Sequence, residues 1–213
     1  MSASAPIGTL IVIAKAPIPG RVKTRLVPPL TYSQAADVAG AALRDTLRAT
    51  SAVRADLHLL VLDGAHGPWL PPGWRVVAQP EGGLDVRLAA AFAAARPLRP
   101  ALLVGMDTPQ VRPHLLAFDA TQHDAALGMA TDGGYWAIGL RDPAVAAHVI
   151  PGVPMSTPDT GAEQLRRLHG AGLRVQLLDP LTDVDTIDAA GDVARQAPRS
   201  EFARTLARLR IPA

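Results

Sequence analysis

The sequence predicts an α/β protein with a mostly parallel sheet and helices on both of its faces. Short apolar runs rich in β-branched residues alternate along the chain with stretches of helical period. The first of those runs, Thr9-Leu10-Ile11-Val12-Ile13-Ala14, is apolar almost throughout, the signature of a strand buried on two faces rather than one. Length and composition agree, since 213 residues with 48% hydrophobic content suit one domain, residues 1–213, with a sizeable core.

Taken in order, the strand at 9–14 leads through a Pro/Gly loop into a helix at 33–49. There Ala36, Ala39, Leu43 and Leu47 recur at helical spacing, and Thr31 or Ser33 can cap the start. Strands follow at 57–62 and 75–78, then a helix at 84–95, a strand at 101–105, a helix at 113–120 and a strand at 125–129. A strand at 135–140, a helix at 159–171, a strand at 173–178 and helices at 186–195 and 200–209 complete the series. The pattern reads as βαβ throughout, which places a ligand site beyond the C-terminal ends of the strands. Residues 64–73, rich in Pro, Gly and Trp, read as a surface loop, with Trp69 and Trp74 available to cover an edge of the core.

Composition narrows the function classes. Charged residues make up 19% of the chain and the net charge is +2, so no polyanion-binding surface is implied, and with few aromatics to stack on bases a nucleic-acid partner is not expected. The lack of cysteine removes disulfides, thiolate metal sites and a Cys nucleophile together. The six histidines show no metal-ligand spacing, His169 reads as a surface residue, and no Gly-x-Ser-x-Gly elbow exists, which argues against a hydrolytic triad. The opening apolar run stops at Lys15 with no basic leader before it, and nothing approaches the roughly 20 apolar residues of a membrane span. The expectation is a cytoplasmic protein without a membrane partner.

The basic residues hold the first positive clue. Of 21 only two are lysines, Lys15 and Lys23, and both fall in the loop after the first strand. That loop also carries Arg21 and Arg25, a flexible Gly20, Thr24, and the stiffening prolines Pro17 and Pro19. Cations and backbone N–H groups at a strand's C-terminal end suit a di- or triphosphate. It is not a Walker A loop, because Val22 stands where that motif has Gly. Lys15, Pro17, Gly20, Lys23, Thr24 and Arg25 are therefore candidate nucleotide-binding residues, joined by Gly82 and Arg87 from a Gly-containing segment at 79–87 that can meet a base, ribose or phosphate or simply cap a helix.

Acids mark the tips of later strands. Asp107 ends the apolar run 101–105 within Gly-Met-Asp-Thr-Pro, a position for a hard divalent cation that takes one or two protein carboxylates, or for a helix cap. Asp185, in Asp183-Val184-Asp185-Thr186, is a second candidate metal ligand or a helix cap. Asp132, Gly133, Gly134 and Tyr135 can bring backbone close to a ligand or form an ordinary hairpin turn. Ser156 and Thr157 open a later helix and can cover an acceptor pocket.

The ordered set Ala-Lys-x-Pro-x-Pro-Gly-x-x-Lys-Thr-Arg-Leu at 14–26, Gly-x-Asp-Thr-Pro at 105–109, Asp-Gly-Gly-Tyr at 132–135, Ser-Thr-Pro at 156–158 and Asp-Val-Asp-Thr at 183–186 resembles the radical-SAM/selenodomain-associated transferases of GT-A type. These look like relatives of 2-phospho-L-lactate guanylyltransferase and the molybdenum-cofactor guanylyltransferases. The resemblance implies a nucleotide-diphospho-sugar-transferase (GT-A) fold, with Lys15, Lys23 and Arg25 around nucleotide phosphates and Asp107 and Asp185 around Mg²⁺ or Mn²⁺. Two positions depart from that pattern: Asp85 follows Leu84 where Gly is usual, and Met155 stands before Ser-Thr-Pro where an aromatic is common.

The leading expectation is metal-dependent nucleotidylyl transfer from a nucleoside triphosphate to a small phosphorylated or anionic acceptor, with Lys15, Lys23, Asp107 and Asp132 as catalytic residues. Glycosyl transfer from a nucleotide sugar, with Asp132 orienting or deprotonating the acceptor, is the rival. A non-catalytic nucleotide-binding module is the distant alternative.

Overall fold

The computed structural model describes residues 7–209. The start and end of the 1–213 domain, including residues 1–6 before the opening apolar run, lie outside the described residues.

Seven strands form one sheet: β1 (Ile7–Lys15), β2 (Ala55–Asp63), β3 (Arg75–Ala78), β4 (Ala101–Gly105), β5 (Ala125–Ala130), β6 (Tyr135–Leu140) and β7 (Val175–Leu181). The helices are α1 (Tyr32–Ser51), α2 (Leu84–Ala93), the one-turn α3 (Ala146–Val149), α4 (Thr160–Gly170), α5 (Ile187–Gln196) and α6 (Glu201–Arg208). The strand order is β3-β2-β1-β4-β6-β5-β7. β1 pairs in parallel with both β2 and β4, so the chain winds one way from β1 and then resumes on its other side. That reversal opens a crevice at the C-terminal ends of β1 and β4.

Side chains on a strand alternate between its faces, and β1 uses both. Leu10 and Val12 point to the face covered by α1 and the 111–120 segment. Ile11 and Ile13 point to the opposite face, under α2, α3 and α4. Each fully buried Leu or Ile contributes about 1.5–3 kcal/mol, which is why this run forms the central strand. Helix α1 is itself buried on two sides: Ala36, Ala39, Leu43 and Leu47 meet the sheet, while Ala35, Val38 and Ala42 meet α5 and α6 through Val193, Phe202 and Leu206. Thr31 caps it, accepting from Gln34 N–H as Gln34 Oε1 accepts from Thr31 N–H at 2.8 Å, a reciprocal pair worth about 1 kcal/mol.

The structure corrects the expected pattern in three places. β6 runs antiparallel to β4 and β5, so the βαβ alternation does not hold throughout. The helix expected at 113–120 is a single 3-10 turn, Pro113–Leu116. Gln176 on β7 accounts for the early stop, since its side chain accepts from Asp119 N–H and donates to Ala117 C=O, each at 2.8 Å, and so takes the groups a helix would need. A one-turn α3 also forms where no helix is expected. Residues 64–73 do form a loop, and Trp69 and Trp74 pack on the α1 side of the core, with Trp74 Nε1 donating to Ser51 Oγ at 3.0 Å.

Candidate active site

A cleft of about 710 Å³ lies along the crevice at the ends of β1 and β4. The antiparallel course of β6 brings its beginning, rather than its end, to the same edge. The 131–134 turn and Tyr135 therefore join the strand exits around one cavity.

Lys23 is its centre. Its Nζ lies 2.6 Å from Asp107 Oδ1 and 3.1 Å from Asp185 Oδ1, and the side chain is 8% exposed. Asp107 and Asp185 remain 42% and 36% exposed, so the ammonium lies beneath two carboxylates that still face the cleft. Val22 and Leu26, both buried, fasten the loop to the core on either side of Lys23. The Lys23 backbone is left-handed, at φ 49°, a conformation costing a non-glycine residue about 1–3 kcal/mol. Burial alone lowers the Lys23 pKa, but Asp107 and Asp185 more than offset it and hold the ammonium above its ordinary range. Arg25 reaches the other oxygen of Asp185 at 3.1 Å from an exposed position.

The two acids meet because the chain is stitched there. Val184 N–H donates to Asp107 C=O at 2.9 Å, and Gln110 Nε2 donates to Thr182 C=O at 2.7 Å. Thr186, not Asp185, caps α5 by accepting from Ala189 N–H. Close to both acids is Asp183, whose Oδ1 is buried with no hydrogen-bond partner among the described residues. Burial, reinforced by Asp107 and Asp132, pushes its pKa to about 7.

Two aspartates on one ammonium, with Asp183 nearby, supply only oxygen ligands, the donor set of a hard divalent cation. Among the described residues no three acidic or histidine side chains form a metal site by themselves. The pair Asp107 and Asp185, already converged on one cation, nevertheless fits an ion that takes two protein carboxylates and completes its shell with phosphate and water.

Other expected residues fall into two groups. Lys15, Thr24, Arg25, Arg87, Asp132, Gly134, Tyr135, Ser156 and Thr157 line the cleft with Lys23, Asp107 and Asp185. Pro17, Gly20, Gly82 and Gly133 lie outside its lining. Gly133 acts behind it: at φ 92° it turns the β5–β6 hairpin, and a Cβ there would strike the carbonyl of Pro158. The hairpin reading of Asp132-Gly133 therefore holds geometrically, with Asp132 Oδ1 accepting from Gly134 N–H at 2.9 Å. Ser156, at φ 60°, is a second left-handed residue on the cleft wall, and buried Thr160 ties down its loop by accepting from Thr157 N–H and donating to Pro154 C=O.

Asp183, Thr108 and Gln79 are among the lining residues outside the sequence-based choice. The alternation Asp183-Val184-Asp185 puts both carboxylates on one side of an extended segment, but the choice fell on Asp185 alone. Thr108 is buried with an unpartnered Oγ1. Gln79 donates to the carbonyls of Ala14 and Val61 at 2.7 and 3.2 Å and accepts from Arg87 Nη1 at 3.1 Å, which fixes that guanidinium at the cleft wall. Asp85 and Met155 make separate contacts. Asp85 Oδ2 accepts from Gly152 N–H at 2.8 Å, while Met155 packs beside Tyr135. Burial first, and Asp85 second, raise the Tyr135 pKa, so its hydroxyl stays protonated at neutral pH.

The architecture matches solved structures. A protein of Desulfovibrio desulfuricans G20, named provisionally as a nucleotide-diphospho-sugar transferase, superposes with TM-score 0.80 and 28% identity over 95% of this chain and 94% of that one. The inositol-1-phosphate CTP transferase of T. maritima gives TM-score 0.57 at 11% identity, covering 99% and 100% of the two chains. The 2-C-methyl-D-erythritol 4-phosphate cytidylyltransferase of Thermus thermophilus gives 0.51 at 19% identity, covering 97% and 100%. At such identities the last two establish the fold alone, and that fold is the nucleotide-diphospho-sugar-transferase type. No curated protein matches the chain in sequence. Residues 38–157, more than half of the chain, match the family described as uncharacterized proteins conserved in bacteria, DUF2064, and the chain belongs to that family.

Proposed function

We propose that this protein is a metal-dependent transferase that moves a nucleotidyl group from a nucleoside triphosphate to a small phosphorylated or anionic acceptor. The observation that carries the reading is the convergence of Lys23 with Asp107 and Asp185 in one cleft, at 2.6 and 3.1 Å. The fold shared with the three transferases supports it, and the kinship with guanylyltransferases that the motifs imply belongs to the same reading.

Lys15, Lys23 and Arg25 neutralise the phosphates, with the β1 loop holding them in line. Asp107 and Asp185 would hold Mg²⁺ or Mn²⁺, which when bound would add charge neutralisation at the phosphates and the leaving group. Tyr135, Ser156 and Thr157 offer neutral hydrogen bonds to the acceptor from the opposite wall. An acceptor oxygen attacks the α-phosphorus, the bond to the bridging β-phosphate oxygen breaks, and pyrophosphate departs with that electron pair. An acceptor that is already anionic needs little general-base help, so rate comes mainly from positioning and charge stabilisation.

Glycosyl transfer from a nucleotide sugar is the second reading, favoured by exposed Asp132 on the cleft rim, where a carboxylate can orient or deprotonate an acceptor hydroxyl. Incubation with each nucleoside triphosphate, Mg²⁺ and a panel of anionic acceptors decides between them. Acceptor-dependent pyrophosphate release is expected; release of a nucleoside diphosphate from a nucleotide sugar, and no pyrophosphate, establishes the glycosyl reading. We take the domain to span residues 1–213. No helix among the described residues is long and apolar enough to cross a membrane, and a cytoplasmic setting is part of the proposal.

A further inference from the structure

We propose that Lys23 is the resident cation of the acid pair: its ammonium and a divalent ion exclude one another there, and loading the ion turns Lys23 out toward the phosphates. The inference rests on the metal-and-nucleotide reading above and adds an order of events to it.

Position is the first ground. Nζ lies within hydrogen-bond reach of one oxygen of Asp107 and one of Asp185, so an ion bound by both acids would crowd the same point. A divalent ion and an ammonium a few ångströms apart repel strongly in a partly dehydrated cleft, and the lysine, on a flexible stem, is the partner that can leave.

Charge balance is the second ground. Asp107 and Asp185 converge on one ammonium close to Asp183, whose buried Oδ1 has no hydrogen-bond partner among the described residues, so this group of acids is short of donors. Arg25 serves only the outer oxygen of Asp185. Lys23 thus keeps the acids gathered in the bare protein, in the arrangement the ion then needs.

Backbone conformation is the third. Lys23 is left-handed at φ 49°, and its ion pairs are what the side chain gains in return. Once an ion satisfies the acids, that gain disappears while the backbone cost remains. Upstream, Gly20 lies at φ 78° with open space around it, which leaves the loop tip room to rearrange. Phosphate oxygens then become the natural partners of the released ammonium, so ion and polyphosphate favour each other's binding.

The experiment uses two readouts, neither of them turnover. Mn²⁺ alone is titrated into wild type and Lys23→Met by electron paramagnetic resonance, with far-UV circular dichroism confirming the fold of the variant. We expect the variant to bind Mn²⁺ about tenfold more tightly or better, because no ammonium has to be displaced. Separately, wild type is labelled with an amine-acylating reagent with and without saturating Mg²⁺. The chain has only two lysines, so exposed Lys15 is an internal control, and Lys23 labelling is expected to rise several-fold with the ion while Lys15 stays constant. Equal or weaker Mn²⁺ binding by Lys23→Met overturns the proposal, as does a Lys23 that stays protected in Mg²⁺. Absence of ion binding in both proteins overturns it too. In each case, nucleoside triphosphate thermal shifts report separately whether the nucleotide reading survives. If the variant does not fold, wild-type labelling alone decides.

Discussion

The backbone N–H of Val184 donates to the carbonyl oxygen of Asp107 at 2.9 Å. That bond fastens the segment carrying Asp185 to the exit of β4, so two acids almost eighty positions apart in the chain share one ammonium. Because backbone groups make the attachment, either carboxylate can be altered without undoing it.

Asp107→Ala is accordingly expected to remove metal-dependent nucleotide turnover by about 10²–10³-fold while the protein stays folded. Pyrophosphate release measures the first, and circular dichroism with thermal melting the second. Full activity in the variant refutes the metal role.

Lys23→Ala should weaken triphosphate more than nucleoside, by at least about tenfold in Kd, a single charge-assisted contact being worth about 1.5–3 kcal/mol. Calorimetric titration with a nucleoside and its triphosphate tests this. Equal losses for the two ligands contradict a phosphate contact.

Gly133→Ala forces a side chain into the carbonyl of Pro158 at a backbone φ of 92°. The expected cost is about 1–3 kcal/mol in urea unfolding. Because Pro158 follows Ser156 and Thr157, the acceptor KM should rise while nucleotide affinity changes little; an unchanged acceptor KM removes these residues from the acceptor wall.

Asp124 tests the sheet's far edge. Arg174 first, with Arg141 assisting, depresses its carboxyl pKa from 3.8 to about 2. A depressed acid stabilises the fold at pH above its unfolded value, and that contribution disappears as pH falls toward 2. The Asp124 carboxylate is 14% exposed but its arginines are 57% and 51% exposed, so solvent screens the pair and Asp124→Asn should cost about 1 kcal/mol at pH 7. Urea unfolding across pH 7 to 2 should show the wild-type and variant curves converging at the acid end; a constant gap argues against the ion pair.

Strand positions were legible in the sequence wherever burial on both faces imposed an unbroken apolar run. The bounds of β4 and β6 agree with the reading and β1 extends it by a few residues, whereas the half-exposed β7 falls at Val175–Leu181 rather than 173–178. Direction was not legible for β6, because Tyr-Trp-Ala-Ile-Gly-Leu is apolar on both faces whichever way it runs. The helix at 113–120 failed for a long-range reason, the capture of its backbone by Gln176. Lys23 stood out because the only two lysines share one loop, and Asp107 and Asp185 because each is an acid shortly after an apolar run. Gln79 did not, since its contacts to Ala14, Val61 and Arg87 exist only once β1, β2 and α2 are assembled.

The reversed course of β6 divides the rim into two kinds of masonry. On the side we assign to the phosphates, Lys15 and Asp107 sit at or just past strand exits whose register is locked to their neighbours, and a shift there would drag the central sheet with it. On the side we assign to the acceptor, a hairpin bend abuts Pro158, so that wall is held by the contact between a turn and a loop rather than by strand register. Displacing the bend therefore disturbs one wall of the cleft, whereas displacing a strand exit disturbs the sheet itself.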